Sequence, residues 1–241
     1  MDDYNRRQFI RTSLPGFLGL GMALPAITAL ATRANACHGR IPSDGKINWD
    51  AFLTEVEKEA AKQHLDNWSE KAYVKKAAAL MAQLNLQDPA LAEAFENTKN
   101  GLGNNRVDFY KLEKQRVFEV CMLQFEQGEQ IKHHDHPGMT GVILCATGKT
   151  DVWNYDLLGK RNDSKNVLLK ETSHALLTKG KVSTLTSKER NIHRLKAQNL
   201  TQLIDIFAPP YNKERARNSS WFNVDPEPFQ GYNKIYEATK R

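Results

Sequence analysis

The stretch Gly128-Glu-Gln-Ile-Lys-His133-His134-Asp135-His136-Pro137-Gly138-Met139 decides how this chain is read. On a β-strand, His134 and His136 stand two residues apart and project to one face, where two imidazoles can take adjacent places around one metal ion. Pro137-Gly138 bends the chain directly after them. His133 alternates to the opposite face and is expected at the surface or behind the ligands. A lone histidine on a strand is more often packed or solvated than ligating, so a partner elsewhere in the sequence is required.

A glycine, five intervening residues and His-x-His together resemble the opening of the first cupin motif. In the usual cupin a glutamate follows shortly as a further ligand, but those slots hold Thr140 and Gly141. The carboxylate is missing. The remaining cupin histidine comes from a later strand, and His193 in Asn191-Ile-His-Arg is the credible candidate, in an alternating stretch. His174 follows a polar Glu-Thr-Ser turn and is expected to be exposed; His64 falls in a helical region and His38 near the N-terminus. Three imidazoles form a neutral donor set, leaving a divalent ion its full charge and open positions. Imidazole suits iron, zinc, copper or nickel, so the ligands alone leave the metal open.

Outward from this motif the texture is β. Short apolar stretches (Val117–Phe125, Met139–Cys145, Thr150–Tyr155, Asn166–Leu168, Val182–Leu185, Gln202–Phe207) are separated by Gly, Asn, Asp or Lys clusters, and a last strand is expected around Tyr232–Tyr236. That spacing argues for a sandwich or barrel. Before it, from Trp49 to about Lys99, apolar residues recur at helical spacing. Phe52, Leu53 and Val56 mark one face, and Tyr73, Ala77, Leu80, Met81 and Leu84 another. Asp88-Pro89 is a helix start with a capping carboxylate and a first-turn proline; Leu91, Ala94 and Phe95 follow it. Residues 100–105, Asn-Gly-Leu-Gly-Asn-Asn, read as a stop and linker. Two or three helices are expected to cover the β domain. No motif in them carries chemistry.

Residues 1–36 read as an export signal. Arg6-Arg7-Gln-Phe-Ile is a twin-arginine core, a weakly apolar region runs from Ser13 to Ala31, and Ala34-Asn-Ala36 offers small residues for cleavage. Asn5 and Arg11 depart from the usual signal. Cys37 invites a lipoprotein reading, which the residues before it match poorly. The expected location is periplasmic, with the twin-arginine translocase as a partner in export and no stable membrane span after processing. The domain plan is then a signal over 1–36, a helical extension and linker over 37–105, and a β domain over 106–241.

The whole chain has 241 residues, 40% of them apolar and 26% charged, and a net charge of +6. This is a globular balance that excludes a disordered or collagen-like chain. A mean hydropathy of −0.60 excludes a polytopic membrane protein. Three cysteines without a CxxC pair exclude a disulfide scaffold and a finger-type zinc site. Losing residues 1–36 would leave a charge of about +4, with bases scattered among acids, so no nucleic-acid partner is expected.

With these residues together, the chain resembles the thiol dioxygenase family of cysteamine dioxygenase and the plant cysteine oxidases, over roughly Val107 to Val224. The resemblance rests on His134-Asp-His-Pro-Gly-Met139, Gly148 in a turn before Val152, Asn191-Ile-His193, and Leu203-Ile-Asp205-Ile-Phe-Ala-Pro-Pro-Tyr211. It implies a cupin-type double-stranded β-helix, a jelly-roll barrel, preceded by the helical extension. It further implies Fe(II) held by His134, His136 and His193, with both atoms of O2 added to a thiol to give a sulfinic acid. The implied substrates are a small aminothiol or an N-terminal cysteine, and Asp205 and Tyr211 match positions that are functional without being ligands. Animal relatives carry a cross-linking Cys and Tyr after this string, where the chain reads Ser219 and Trp221. Cys121 and Cys145, in strands, are expected to be buried apolar residues. The alternatives are a three-histidine dioxygenase acting on carbon, and an exported metal-binding protein without turnover.

Overall fold

The computed structural model describes residues 46–99, 107–160 and 165–241. The signal read in residues 1–36, Cys37 and the linker at 100–105 lie outside the described residues. Three helices open the described chain: α1 (Trp49–Ala60), α2 (Glu70–Gln83) and α3 (Pro89–Lys99). Each begins on the cap its sequence offers. Asn48 accepts the Ala51 N–H at 2.8 Å, and Ser69 that of Ala72 at 3.3 Å. Asp88 accepts from Ala90 N–H at 3.0 Å through one oxygen and from Trp49 N–H at 2.9 Å through the other. The start of α3 is thereby tied to the start of α1. No helix among the described residues is long and apolar enough to cross a membrane.

Two antiparallel sheets follow. The first runs, in spatial order, β1 (Asp108–Lys114), β2 (Glu119–Phe125), β9 (Thr201–Ala208), β4 (Thr140–Thr147) and β7 (Val182–Leu185). The second runs β10 (Phe222–Val224), β11 (Ile235–Lys240), β6 (Asn166–Thr178), β5 (Lys149–Lys160), β8 (Ile192–Ala197) and β3 (Gln130–His134). A short helix, α4 (Lys213–Asn218), lies between β9 and β10. Every pair in both sheets is antiparallel. The described chain is mainly β, two antiparallel sheets forming a near-barrel with a helical N-terminal region.

The inner faces of the sheets meet in one cluster. Leu123, Phe125, Ile143, Cys145 and Leu203 from the first sheet pack with Ile131, Val152, Leu177, Leu195 and Ala197 from the second. The outer face of the first sheet is covered by the helices. Phe52, Val56, Tyr73, Ala77, Leu80, Met81, Leu91 and Phe95 pack on Val120, Met122, Val142, Leu144, Ile204 and Ile206. The three helical faces read from the sequence are the faces that are buried. Covering both sides explains why all eight residues of β9 are buried, the polar Thr201, Gln202 and Asp205 included. Polar pairing fixes the α3 end of this cover. Gln202 donates to Phe95 O at 3.0 Å and to Gln124 Oε1 at 2.6 Å, while Gln124 donates to Thr98 O at 2.8 Å. The Thr98 carbonyl, in the last turn of α3, is thus satisfied inside the core.

Two elements differ from their expected limits. β6 continues to Thr178, through the Glu171–His174 run expected to be a turn, because β5 pairs with it along that length and the polar side chains face outward. The closing strand begins at Ile235 rather than near Tyr232, after a short helical turn at Phe229–Gly231.

Candidate metal centre

Three elements bring the histidines together. His134 ends β3 and pairs across the sheet with His193 of β8; His136 lies two residues on, where the chain leaves the strand. All three are at least 98% buried. The Nε2 atoms of His136 and His193 are 2.9 Å apart, and those of His193 and His134 are 3.1 Å apart. Adjacent donors at right angles on a metal about 2.1 Å away stand about 3 Å apart, so this spacing fits a shared ion. No acidic or thiol group joins the cluster among the described residues.

Protonation points the same way. His134 Nδ1 donates to Lys132 O at 2.8 Å, which leaves the Nε2 lone pair facing the cluster. Burial pushes His134 down to about 4. Burial, then the neighbouring histidines, holds His136 and His193 well below the usual range. Three buried imidazoles whose Nε2 atoms converge at this spacing form a donor set suited to a shared cation. The residues present fit a metal.

The missing glutamate has a structural reason. Gly141 faces the pocket side of β4, and a Cβ there would meet Phe207 at 3.1 Å and Leu185 at 3.2 Å. The space a ligand side chain needs is filled. Thr140 turns away, donating to Ala208 O at 2.9 Å. Phe207 instead packs against the ring of His136, centroids 4.7 Å apart.

The surroundings hold His136 and His134 in place. His136 Nδ1 is hydrogen-bonded to Tyr211 Oη. Asn191 accepts the His136 N–H and donates to Thr186 O at 2.7 Å, bracing the ligand turn against the turn before β8. From the helical cover, Glu70 accepts from Ser187 N–H at 2.8 Å and from its hydroxyl at 2.6 Å, anchoring that same turn. Asp135 is paired with the backbone of Ser220, and Trp221 stacks on His134 at 5.0 Å. At the other position that matches the animal cross-link, Ser219 donates to Arg215 O at 3.1 Å.

The pocket beside the histidines holds about 50 Å3 and is lined by Asp205, Tyr211 and Cys121 as well as Phe109, Leu123 and Leu195. Asp205 is nearly fully buried, and one carboxylate oxygen has no hydrogen-bond partner among the described residues. Burial raises its pKa well above the usual range, which favours the protonated carboxyl. Burial likewise raises the Tyr211 phenol, with Asp205 adding to it. Cys121 is half-buried and pairs across the sheet with Asp205, so it lines the pocket rather than the core; Cys145 is buried as expected. His133 lies on the opposite face, edge-on to Tyr155, and His174 and His64 are exposed. Sequence reasoning assigned no role to Asn191, although it stands two residues before a ligand. It also missed Lys111 and Glu119, which line the pocket and which no local motif marks.

The PCO_ADO family, the cysteine/cysteamine dioxygenases, matches residues 75–240. The chain belongs to this family. The match starts inside α2, so part of the helical cover lies within it. Among curated proteins none matches the chain. Similar solved structures include an RmlC-like cupin protein from Desulfovibrio desulfuricans, at 15% identity over 44% of this chain and 85% of that one, TM-score 0.34. KdgF from Halomonas sp. gives 15% identity, 45% and 82% coverage and a TM-score of 0.34. TT1209 from Thermus thermophilus gives 14%, 47%, 95% and 0.36.

Proposed function

We propose that this member of the cysteine/cysteamine dioxygenase family is an Fe(II)-dependent thiol dioxygenase. It adds both atoms of O2 to the sulfur of a small aminothiol or an N-terminal cysteine, turning R–SH into the sulfinic acid R–SO2H. One observation carries the reading: three buried, neutral imidazoles converge with no carboxylate among them, beside a pocket that also receives Asp205 and Tyr211.

His134, His136 and His193 would hold the iron. A divalent iron bound there supplies a cation that deprotonates a coordinated thiol and a centre for binding O2. Because Phe207 and Leu185 fill the space beside Gly141, no fourth protein ligand competes for the open side. Phe109, Leu123, Ile131 and Leu195 keep water from the thiol. Asp205, a buried acid with one unpartnered oxygen, lines the same pocket; a neutral amine on the substrate would take its proton, and the resulting ammonium would pair with the carboxylate. The Tyr211 hydroxyl, already bonded to His136, is placed to fix that ring and to donate towards the pocket. The pocket's mixed lining, apolar walls beside Asp205 and Tyr211, supports an aminothiol head group over a wholly apolar carbon substrate.

The test is anaerobic loading with Fe(II), then O2 uptake and product mass on cysteamine, cysteine and N-terminal-cysteine peptides. A gain of two oxygen atoms on at least one thiol is expected. Tight metal binding with no product from any thiol would overturn the reading. Export through the twin-arginine signal belongs to the same proposal and rests on residues 1–36. Arg6→Lys/Arg7→Lys is expected to leave a fused folded reporter in the cytoplasm.

A further inference from the structure

A second cavity adjoins the metal pocket. It is an open groove of about 730 Å3 whose lining includes His64, Lys114, Arg116, Lys213 and Arg215, with no aspartate or glutamate. Its size falls in the range that holds ligands of several residues' bulk. Tyr211 lines both groove and metal pocket. Lys114 forms the wall between them, donating to Tyr211 O at 2.7 Å and pairing at 3.0 Å with Glu119, a pocket residue. That buried carboxylate is shared with Lys111 at 3.6 Å, so it is already neutralised. Arg215 donates to Pro210 O at 3.1 Å, and Arg116 and Lys213 are exposed with no acidic partner among the described residues. Some exposed lysines of the described surface pair with acids, as Lys62 does with Glu59, Lys71 with Glu189 and Lys234 with Glu171. Of the groove's cations, Lys114 is paired with Glu119, while Arg116 and Lys213 have no such pair among the described residues.

Resting on the thiol dioxygenase reading, we propose that this groove docks acidic residues that follow the N-terminal cysteine of a polypeptide substrate. Tyr211 lines both cavities, so the groove adjoins the pocket that would take the cysteine head and offers a path for the chain behind it. Lys114 and Arg116 come from the end of β1 and the turn after it, and Lys213 and Arg215 from α4, so two separate segments supply the groove's charge. The chain's own residues 1–45 do not complement it: they carry Arg6, Arg7, Arg11, Arg33 and Arg40 against Asp2, Asp3 and Asp44. An acidic peptide does.

The experiment measures binding to the metal-free protein by fluorescence anisotropy. The labelled peptides have serine in place of the leading cysteine, followed by three glutamates, three glutamines or three lysines. The Glu peptide is expected to bind about tenfold tighter than the Gln peptide, with the difference shrinking as salt rises. Arg116→Glu/Lys213→Glu protein should reverse the order and favour the Lys peptide, a gain that misfolding cannot produce. Equal affinities for the three peptides, a preference that survives the charge reversal, or tighter binding of a single-stranded oligonucleotide than of the Glu peptide would each overturn the proposal. Because no thiol or iron is involved, the result stands apart from whether any thiol is oxidised.

Discussion

Asn191 grips the peptide unit of His136 from both sides: its Oδ1 accepts the His136 N–H at 2.8 Å, and its Nδ2 donates to the His136 carbonyl at 3.1 Å. A residue two positions before one ligand thereby sets the backbone of another. Asn191→Ala should free the turn after β3 and lower metal affinity about ten- to a hundredfold, the usual cost of losing an outer hydrogen-bond partner of a ligand. Metal titration against a competing chelator measures it. Wild-type affinity in the variant would show that the turn holds its shape without the clamp.

Tyr211 is bonded to the other ring nitrogen of His136, so Tyr211→Phe removes a hydroxyl without touching the three Nε2 atoms. Iron stoichiometry should stay at the wild-type level. Turnover of the best thiol should fall about a hundredfold if the phenol also serves the reacting groups. A kcat equal to wild type, with a loss of about 1–3 kcal/mol in stability, would leave the hydroxyl as a partner of His136 alone.

The histidine trio was legible because a strand's period of two puts His134 and His136 on one face, and because the stretch around His193 alternates. Helix faces were legible for a similar reason: Phe52, Val56 and the Tyr73–Leu84 set need only the 3.6-residue period to be recognised. What could not be read depends on register between distant segments. The Lys114–Glu119 pair exists because β1 and β2 align those two residues, and Lys114 meets Tyr211 O nearly a hundred positions away. Cys121 was expected in the core, but its pairing with Asp205 of β9 sets it in the pocket wall. The stacking of Trp221 on His134 comes from the chain after α4 crossing β3, and no local pattern encodes that crossing.

Gly141 shows how far a local absence is built into the packing. Gly141→Ala places a Cβ 3.1 Å from Phe207, the ring that packs on His136, so the change should cost about 1–3 kcal/mol by overpacking. Gly141→Glu, which restores the usual cupin residue, should be worse, since it adds a buried charge to the same crowded site. Thermal unfolding of both variants measures the effect. A Glu variant as stable as wild type, binding metal more tightly, would show that Phe207 and Leu185 yield and that the open side is not fixed by their packing.

The neutral histidines make the metal-free protein acid-sensitive within a defined window. The folded-state pKa of His134 lies near 4, below the ordinary value of 6.5, because burial penalises the charged ring. As pH falls below 6.5 the unfolded chain takes up a proton at this position that the folded chain refuses, and stability drops. The loss continues until the folded pKa is reached and amounts to roughly 3 kcal/mol from His134 alone. His136 and His193 shift in the same direction and steepen the fall. Asp205 acts with the opposite sign. Its raised pKa means the folded state holds a proton the unfolded chain gives up, so that its contribution is lost as pH rises above the ordinary carboxylate range. The unfolding midpoint of metal-free protein should therefore decline from pH 6.5 to 4, and replacing His134 by a neutral isostere such as glutamine should flatten that decline. An equally steep decline in the glutamine variant would place the acid sensitivity outside the His134 ring.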